Sequence, residues 1–122
     1  MPDNAISLVG NLTRSPELRF TPSGTATASF GLAVNNRKKN DSGGYDDDPK
    51  FFNVVCWGDL AENVSESLVQ GTRVVLNGRL DFQSWETPEG DRRSKIEVIA
   101  ESIGPDLRWA TVSVTRNEKK GS

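Results

Sequence analysis

Residues 51–62, FFNVVCWGDLAE, decide the fold of this chain. The part before the glycine is rich in aromatic and β-branched side chains, which is typical of a β-strand. Gly58 ends that strand, and Asp59 followed three residues later by Glu62 predicts a helix with Asp59 as its N-cap. Because side chains alternate across a strand, one face carries Phe51, Asn53, Val55 and Trp57, and the other carries Phe52, Val54 and Cys56. A small domain cannot easily bury aromatic rings on both faces, so we expect one of them to contact a partner.

The composition restricts the chemistry that is available. A length of 122 residues is typical of one domain. The chain has no histidine, so it lacks the commonest general base and metal ligand, and its single cysteine excludes an intrachain disulfide framework. We therefore expect no enzymatic activity, no cofactor and no metal site.

Charge and hydropathy indicate where the chain acts. A net charge of −2 gives no overall basic signature, which counts against nucleic-acid binding but does not exclude it, because a local basic stripe matters more than the sum. No apolar run approaches membrane-spanning length, and no signal-peptide pattern begins the sequence. We expect a cytoplasmic protein without membrane contact.

Further strands are predicted on both sides of the opening stretch. Residues 4–9 predict a first strand, and residues 26–34 alternate between apolar and small polar side chains as a half-buried strand does. A turn at residues 22–24 predicts a hairpin between residues 18–20 and that strand. Residues 73–82 and 94–103 predict two more strands, with Val74, Leu76, Leu80 and Phe82 pointing inward and Gly78 at a bend or bulge.

The order strand, strand, strand, helix, strand, strand predicts an all-β fold, the five-stranded oligonucleotide-binding (OB) barrel, with one short helix between strands 3 and 4. We expect the barrel to occupy residues 1–110. Residues 111–116 alternate weakly and predict a C-terminal edge strand, and residues 117–122 predict a disordered end.

Basic and aromatic residues occur together near two polar loops. A basic triplet at residues 37–39 lies at the root of a long hairpin loop, and two arginines at residues 92–93 lie in a second loop that follows Trp85. Proteins that bind single-stranded nucleic acids stack bases on exposed rings and contact phosphates with Lys and Arg. The pattern alone does not decide whether Phe51 and Trp57 stack on bases or pack in the core. Trp85 stands beside polar neighbours, so we expect it to be exposed.

Several segments resemble bacterial single-stranded DNA-binding proteins in consistent order and spacing. They are SLVGNL at residues 7–12, PELRFTPSG at 16–24, GDLAE at 58–62, GTRV at 71–74, GRL at 78–80 and WETPEG at 85–90. The sequence IGPDLRWA at residues 103–110 resembles the actinobacterial branch. The resemblance covers about residues 4–115.

This resemblance implies an OB-fold homotetramer that binds single-stranded DNA without sequence preference in replication, recombination and repair, at the nucleoid. The DNA-binding residues implied by the resemblance or predicted from the pattern are Phe51, Asn53, Trp57, Trp85, Arg19, Arg37, Lys38, Lys39, Arg73, Arg79, Arg92 and Arg93. In the actinobacterial branch the strand after Trp109 hooks onto a neighbouring subunit. We accordingly expect an oligomer interface at Ile6, Leu8, Phe52, Trp109, Val112 and Val114.

The chain departs from the family pattern in three ways. A tryptophan that some members carry near Lys38 is missing. Uncharged or acidic residues stand where members often carry positive charge, which predicts weaker electrostatic binding; these are Asp59, Gln70, Asp81, Gln83 and Ser84. The sequence as given also shows no Gly/Pro-rich linker or acidic C-terminal tip, so partners recruited by such a tail are not expected for it.

Two alternatives stay open at this point. Cys56 is expected to be a small buried hydrophobic residue, but a lone cysteine near a two-fold axis could instead form a disulfide with its twin. The chain could also be an OB-fold protein-interaction subunit of a replication or primosome complex. Weak DNA binding together with tight complex formation would favour that function.

Overall fold

A computed structural model describes residues 3–118 of the chain. It contains eight strands and one helix, in the order β1 (Ile6–Leu12), β2 (Glu17–Phe20), β3 (Ala26–Val34), β4 (Arg37–Lys39), β5 (Tyr45–Asp47), β6 (Lys50–Trp57), α1 (Asp59–Ser67), β7 (Arg73–Glu86) and β8 (Arg92–Pro105). The described residues include no helix long and apolar enough to cross a lipid bilayer.

Five of the strands close into a ring in the order β1-β7-β8-β6-β3. The ring closes where Asn11 and Leu12 of β1 pair with Ala33 and Leu32 of β3. Gly10 permits this closure, because a Cβ there would lie 2.4 Å from the carbonyl oxygen of Ala33. The helix lies between the third and fourth strands of the ring, so the predicted all-β OB-fold class is confirmed.

Alternation along the strands produces the core. The largest fully buried side chains come from every strand of the ring except β1: Phe30, Leu32, Val54, Cys56, Leu76, Val74 and Val98. Helix α1 adds Ala61 and Val64, and Leu68 directly after the helix is also buried. The predicted hairpin between residues 18–20 and the following strand is confirmed, since Phe20 pairs with Ala26.

The start of α1 differs from the predicted capping box. Gly58, with φ 67°, is the N-cap, and Asp59 is the first helical residue. The chain turns directly from β6 into α1, and that turn requires a left-handed backbone that glycine adopts most easily. Asp59 therefore lies in the first helical turn, where a carboxylate interacts favourably with the helix dipole.

Strands β7 and β8 form a ribbon longer than predicted, with 14 residues in each strand. Leu80 and Phe82 do not point into the core as predicted but are exposed, Phe82 to 65%, because this part of the ribbon projects beyond the barrel. The irregularity predicted at Gly78 is confirmed. Asn77 pairs with Ser102 and Gly78 pairs with Ala100, so Glu101 is the extra residue of a β-bulge.

The C-terminal segment forms no strand within the described chain. Residues 111–118 have no assigned secondary structure and are exposed, so the edge strand at residues 111–116 stays a prediction. Asn117 Nδ2 donates a hydrogen bond of 2.7 Å to Asn63 Oδ1 on α1. Of the predicted disordered end, residues 119–122 lie outside the described residues.

Candidate nucleic-acid interface

The outer face of β6 presents two aromatic rings to solvent. Phe51 and Trp57 are 70% and 49% exposed, so the alternative that they pack in the core is wrong. Their cross-strand partners on β3 are small: Ala33 lies opposite Phe51, and Thr27 lies opposite Trp57. No neighbour of comparable size covers either ring from β3, and both rings can therefore accept a stacked base.

Basic side chains flank these rings. Arg19 on β2 lies opposite Thr27, which in turn lies opposite Trp57, so the three residues form one row across the sheet. The Arg19 guanidinium forms an ion pair with Glu17, in which Nε donates a 2.7 Å hydrogen bond to Oε1. Both side chains are exposed, and a pair of this kind is worth only about 0–1 kcal/mol. A phosphate can therefore compete for Arg19.

Arg14 joins the same face, although the sequence did not identify it. Gly31 lies opposite Asn53, and a Cβ on Gly31 would lie 3.1 Å from Nη1 of Arg14. The absence of a side chain at Gly31 thus lets the segment after β1 cross the outer face and place a guanidinium near Asn53. No strand periodicity reveals this contact, because it depends on a loop crossing the sheet.

The β7–β8 ribbon continues the outer face toward Trp85. Val55 of β6 pairs with Ile99 of β8, and Ile99 pairs with Arg79 of β7. From Arg79 the alternation along β7 puts Trp85 on the same face, 46% exposed as predicted. The residues of β8 that lie opposite this row of β7, which runs from Arg79 to Trp85, are Ile99, Glu97, Lys95 and Arg93. Lys95 is therefore an additional cation of the face, whereas Arg92, paired with Glu86, lies on the reverse face.

Carboxylates occupy the middle of this ribbon. Gln83 Nε2 donates to Asp81 Oδ2 at 2.8 Å and to Glu97 Oε1 at 3.2 Å. Lys95 Nζ lies 3.7 Å from Glu97 Oε2, and Arg79 Nε lies 3.9 Å from Glu101 Oε1. Cations and anions thus alternate here, and the ribbon presents a nearly balanced charge to a polyanion.

The basic triplet divides between two faces. Strands β4 and β5 pair as a short hairpin, with Arg37 opposite Asp47, Lys38 opposite Asp46 and Lys39 opposite Tyr45. Alternation puts Arg37 and Lys39 on one face and Lys38 on the other. The long loop predicted beside this triplet is therefore partly an ordered hairpin.

Arg73 is bound by the C-terminal segment. Its Nε donates a 2.8 Å hydrogen bond to Asp106 Oδ2. Its guanidinium lies 4.9 Å from the ring centroid of Trp109, which Arg108 approaches at 4.6 Å. This bond and the Arg108 backbone N–H hold the pKa of Asp106 below its ordinary value. Arg73 thus holds the C-terminal segment through its guanidinium.

Three predicted interface residues are packed against the core in the single chain. Ile6, Leu8 and Phe52 are partly buried against it. Strand β1, which carries Ile6 and Leu8, pairs with β7. On the outward side of this pair Val9 lies opposite Val75, and the two side chains are 39% and 43% exposed. Trp109, Val112 and Val114 are exposed, as a segment that contacts a second subunit would be.

The single thiol lies inside the barrel. Cys56 is fully buried, which confirms the prediction that it is a small hydrophobic core residue. Its sulfur is not accessible for a disulfide with Cys56 of a second subunit. Burial raises the pKa of the Cys56 thiol to about 11, so the thiol stays protonated at neutral pH. Within residues 3–118, no three His, Cys, Asp or Glu side chains are grouped to hold a metal ion.

Comparison with known proteins identifies the family. Residues 3–106 match the model of the single-strand binding protein family. The chain belongs to the single-strand binding protein family. Family members from actinobacteria are similar over nearly all of it, as the sequence at residues 103–110 predicted.

Two curated relatives show the extent of this similarity. The single-stranded DNA-binding protein of Paenarthrobacter nicotinovorans is 43% identical over 122 residues, covering 98% of this chain and 72% of that protein. The single-stranded DNA-binding protein of Mycolicibacterium smegmatis is 46% identical over 121 residues, covering 98% of this chain and 73% of that protein.

A solved structure from the family has the same fold. A deletion mutant of the single-stranded DNA-binding protein from Thermus aquaticus superposes with a TM-score of 0.74 at 32% sequence identity. The match covers 86% of this chain and 51% of that one, so the chain spans about half the length of this solved relative.

Proposed function

We propose that this chain binds single-stranded DNA without sequence preference and protects it during replication, recombination and repair. The observation that carries the proposal is the exposed pair Phe51 and Trp57 on the outer face of β6, beside small partners on β3. A ring that is open on one side stacks on any base, because every base has a π-face. Trp85, at the far end of the same face, extends the platform.

Phosphate contacts come from the cations that share this face. Arg14 and Arg19 lie near Asn53 and Trp57, and Arg79, Lys95 and Arg93 lie along the ribbon. Arg37 and Lys39 extend the set onto the β4–β5 hairpin. Lys38 and Arg92, on reverse faces, and Arg73, bonded to Asp106, are left out of the proposed interface. Asn53 supplies a polar contact between the two rings.

The protein acts as a binding module rather than an enzyme, at the nucleoid in the cytoplasm. We propose a homotetramer with two kinds of contact between subunits. Val9 and Val75 lie at an interface where the β1 strands of two subunits meet. The C-terminal segment binds a neighbouring subunit through Trp109, Val112 and Val114. Exposed apolar side chains at these positions support this assembly. Sedimentation of the purified chain tests it, and a monomer at micromolar concentration would refute it.

Fluorescence titration tests the function. Stacking of bases on Trp57 and Trp85 should quench tryptophan emission when oligo-dT is added. The logarithm of the binding constant should fall linearly with the logarithm of the salt concentration, by about 0.7 for each phosphate neutralised. A folded protein that shows neither quenching nor salt-dependent binding would contradict the proposal.

A further inference from the structure

Tyr45 is an exposed aromatic residue that the interface described so far does not use. It lies in β5 at the end of the β4–β5 hairpin and is 63% exposed. Its cross-strand partner is Lys39. A cation beside an open ring is the combination that single-strand binding surfaces repeat.

The hairpin continues the β3–β6 pair without a slip in register. The β3–β6 ladder ends at Val34 opposite Lys50, and the β4–β5 ladder begins at Arg37 opposite Asp47. Each step forward on one strand is matched by one step back on the other, so no residue is inserted between the two ladders. The backbone hydrogen bond from Asp48 N to Asn36 O, 2.6 Å, spans the interval and belongs to the same register.

Continuous register determines which face Tyr45 shares. A slip of one residue would move every side chain to the opposite face, and none occurs. Tyr45 therefore lies on the outer side together with Phe51 and Trp57. Lys39 and Arg37 lie on the same side as Ala33. The three rings recur every six residues, which at roughly 3.3–3.4 Å per residue separates consecutive rings by about 20 Å of strand.

The turn that precedes Tyr45 is held by hydrogen bonds. Asn40 Oδ1 accepts from the backbone N–H groups of Ser42 and Gly44, at 3.0 and 2.9 Å, and Asn40 Nδ2 donates to Asp46 Oδ1 at 3.1 Å. Asp46 and Lys38 lie on the reverse face of the hairpin. The structure thus gives the two sides of the hairpin different chemistry, with the aromatic ring on the side of Phe51.

We propose that Tyr45 is a further base-stacking residue, which extends the path of single-stranded DNA from the barrel onto the outer face of the hairpin, with Lys39 and Arg37 contacting the phosphates. This inference rests on the proposed function. It also gives the hairpin a stacking ring on its second arm, although its first arm lacks the tryptophan that some family members carry near Lys38.

Affinity for oligo-dT of about 16 nucleotides, the upper end of OB-fold site sizes, tests the inference. Tyr45→Ala should weaken binding at least about fivefold, because it removes one stacked base. Tyr45→Phe keeps the ring and should bind within about twofold of the unmodified chain. Thermal unfolding of both variants should match the unmodified chain, since the ring is exposed.

A relocated ring tests the choice of face. Tyr45→Ala with Asp46→Tyr puts an aromatic ring on the reverse face, and Tyr45→Ala with Asp46→Ser is its control without that ring. Equal, weakened binding by the two double variants supports the inference, and recovery in the first overturns it. Unchanged affinity of Tyr45→Ala, or an equal loss in Tyr45→Phe, also overturns it. In each case the proposed function survives if the unmodified chain binds oligo-dT, and it fails if that chain does not.

Discussion

The outer face has two halves that resemble each other in shape and differ in charge. On β6, Trp57 is 49% exposed, and on the β7–β8 ribbon Trp85 is 46% exposed. The surroundings of Trp57 on the sheet are Thr27 and Arg19, with Arg19 bonded to Glu17. The row that leads to Trp85 carries Arg79, Asp81 and Gln83, and on β8 Glu97 and Lys95, with Arg93 opposite Trp85 itself.

Because the two rings are almost equally open, exposure does not distinguish them as stacking platforms. The neighbouring charges do, since the carboxylates of Asp81 and Glu97 offset much of the positive charge that Arg79, Lys95 and Arg93 give the ribbon. Alternation along a strand decides which side chains reach the solvent, and the neighbours across the strands decide what an exposed ring can bind. We expect the β6 half to contribute more binding free energy.

Removing the two rings in turn should produce the largest difference between the halves. Trp57→Ala should weaken oligo-dT binding by about 1–3 kcal/mol, the usual contribution of one stacked base. Trp85→Ala should cost less, because the phosphates beside it bind less strongly. Titrations monitored by anisotropy of a labelled oligonucleotide measure both. A larger loss for Trp85→Ala would reverse the comparison.

Neutralising the ribbon carboxylates should make the two halves more alike. Asp81→Asn with Glu97→Gln should tighten binding by up to about 1 kcal/mol at low salt, the scale of one exposed charge contact. The gain should shrink at high salt because the charges are screened. Glu66→Gln, on α1 and not on a strand of the outer face, is the control and should change little. A gain that persists at high salt would argue against an electrostatic cause.

Releasing Arg19 tests the β6 half on a smaller scale. Glu17→Gln removes the ion-pair partner of Arg19 and should tighten binding by a few tenths of a kcal/mol to about 1 kcal/mol. In Arg19→Ala the same change at Glu17 should have a smaller effect, because the cation that it releases is gone. Additive effects in the double variant, measured at one salt concentration, would show that the pair does not restrain Arg19.

Lowering the pH into the acid range should loosen the C-terminal segment. The hydrogen bond from Arg73 and the Arg108 backbone N–H lower the pKa of Asp106 below its ordinary value of 3.8. The ion pair therefore contributes stability above that ordinary value, and the contribution is lost as the pH falls through the lowered folded pKa.

Asp106→Asn should flatten this acid limb of the stability profile, measured by thermal unfolding at a series of pH values. Its affinity for oligo-dT at neutral pH should be unchanged, since Arg73 keeps its contact with the ring of Trp109 and neither Arg73 nor Asp106 belongs to the proposed interface. A loss of affinity would place the Arg73 cluster within the interface after all.

Local patterns were sufficient where one strand and its own alternation decide the outcome. The division of β6 into a face with Phe51 and a face with Val54 and Cys56, the hairpin at Pro22-Ser23-Gly24 and the irregularity at Gly78 all follow from residues close in the chain. Which of the two faces of β6 is buried did not follow from the alternation. Errors occurred where a neighbour distant in sequence decides. Phe82 fits an inward alternation, yet the core ends before the ribbon does.

The sequence by itself determined the class of fold and the row of aromatic residues on β6, because strand propensity and alternation are properties of consecutive residues. Only the tertiary structure decided which charges surround each ring. Arg14 reaches the face because a loop crosses Gly31, and the guanidinium of Arg73 is occupied by Asp106 and Trp109. The side of Tyr45 depends on register carried between two paired ladders. These outcomes rest on contacts between residues far apart in the chain, which no local pattern specifies.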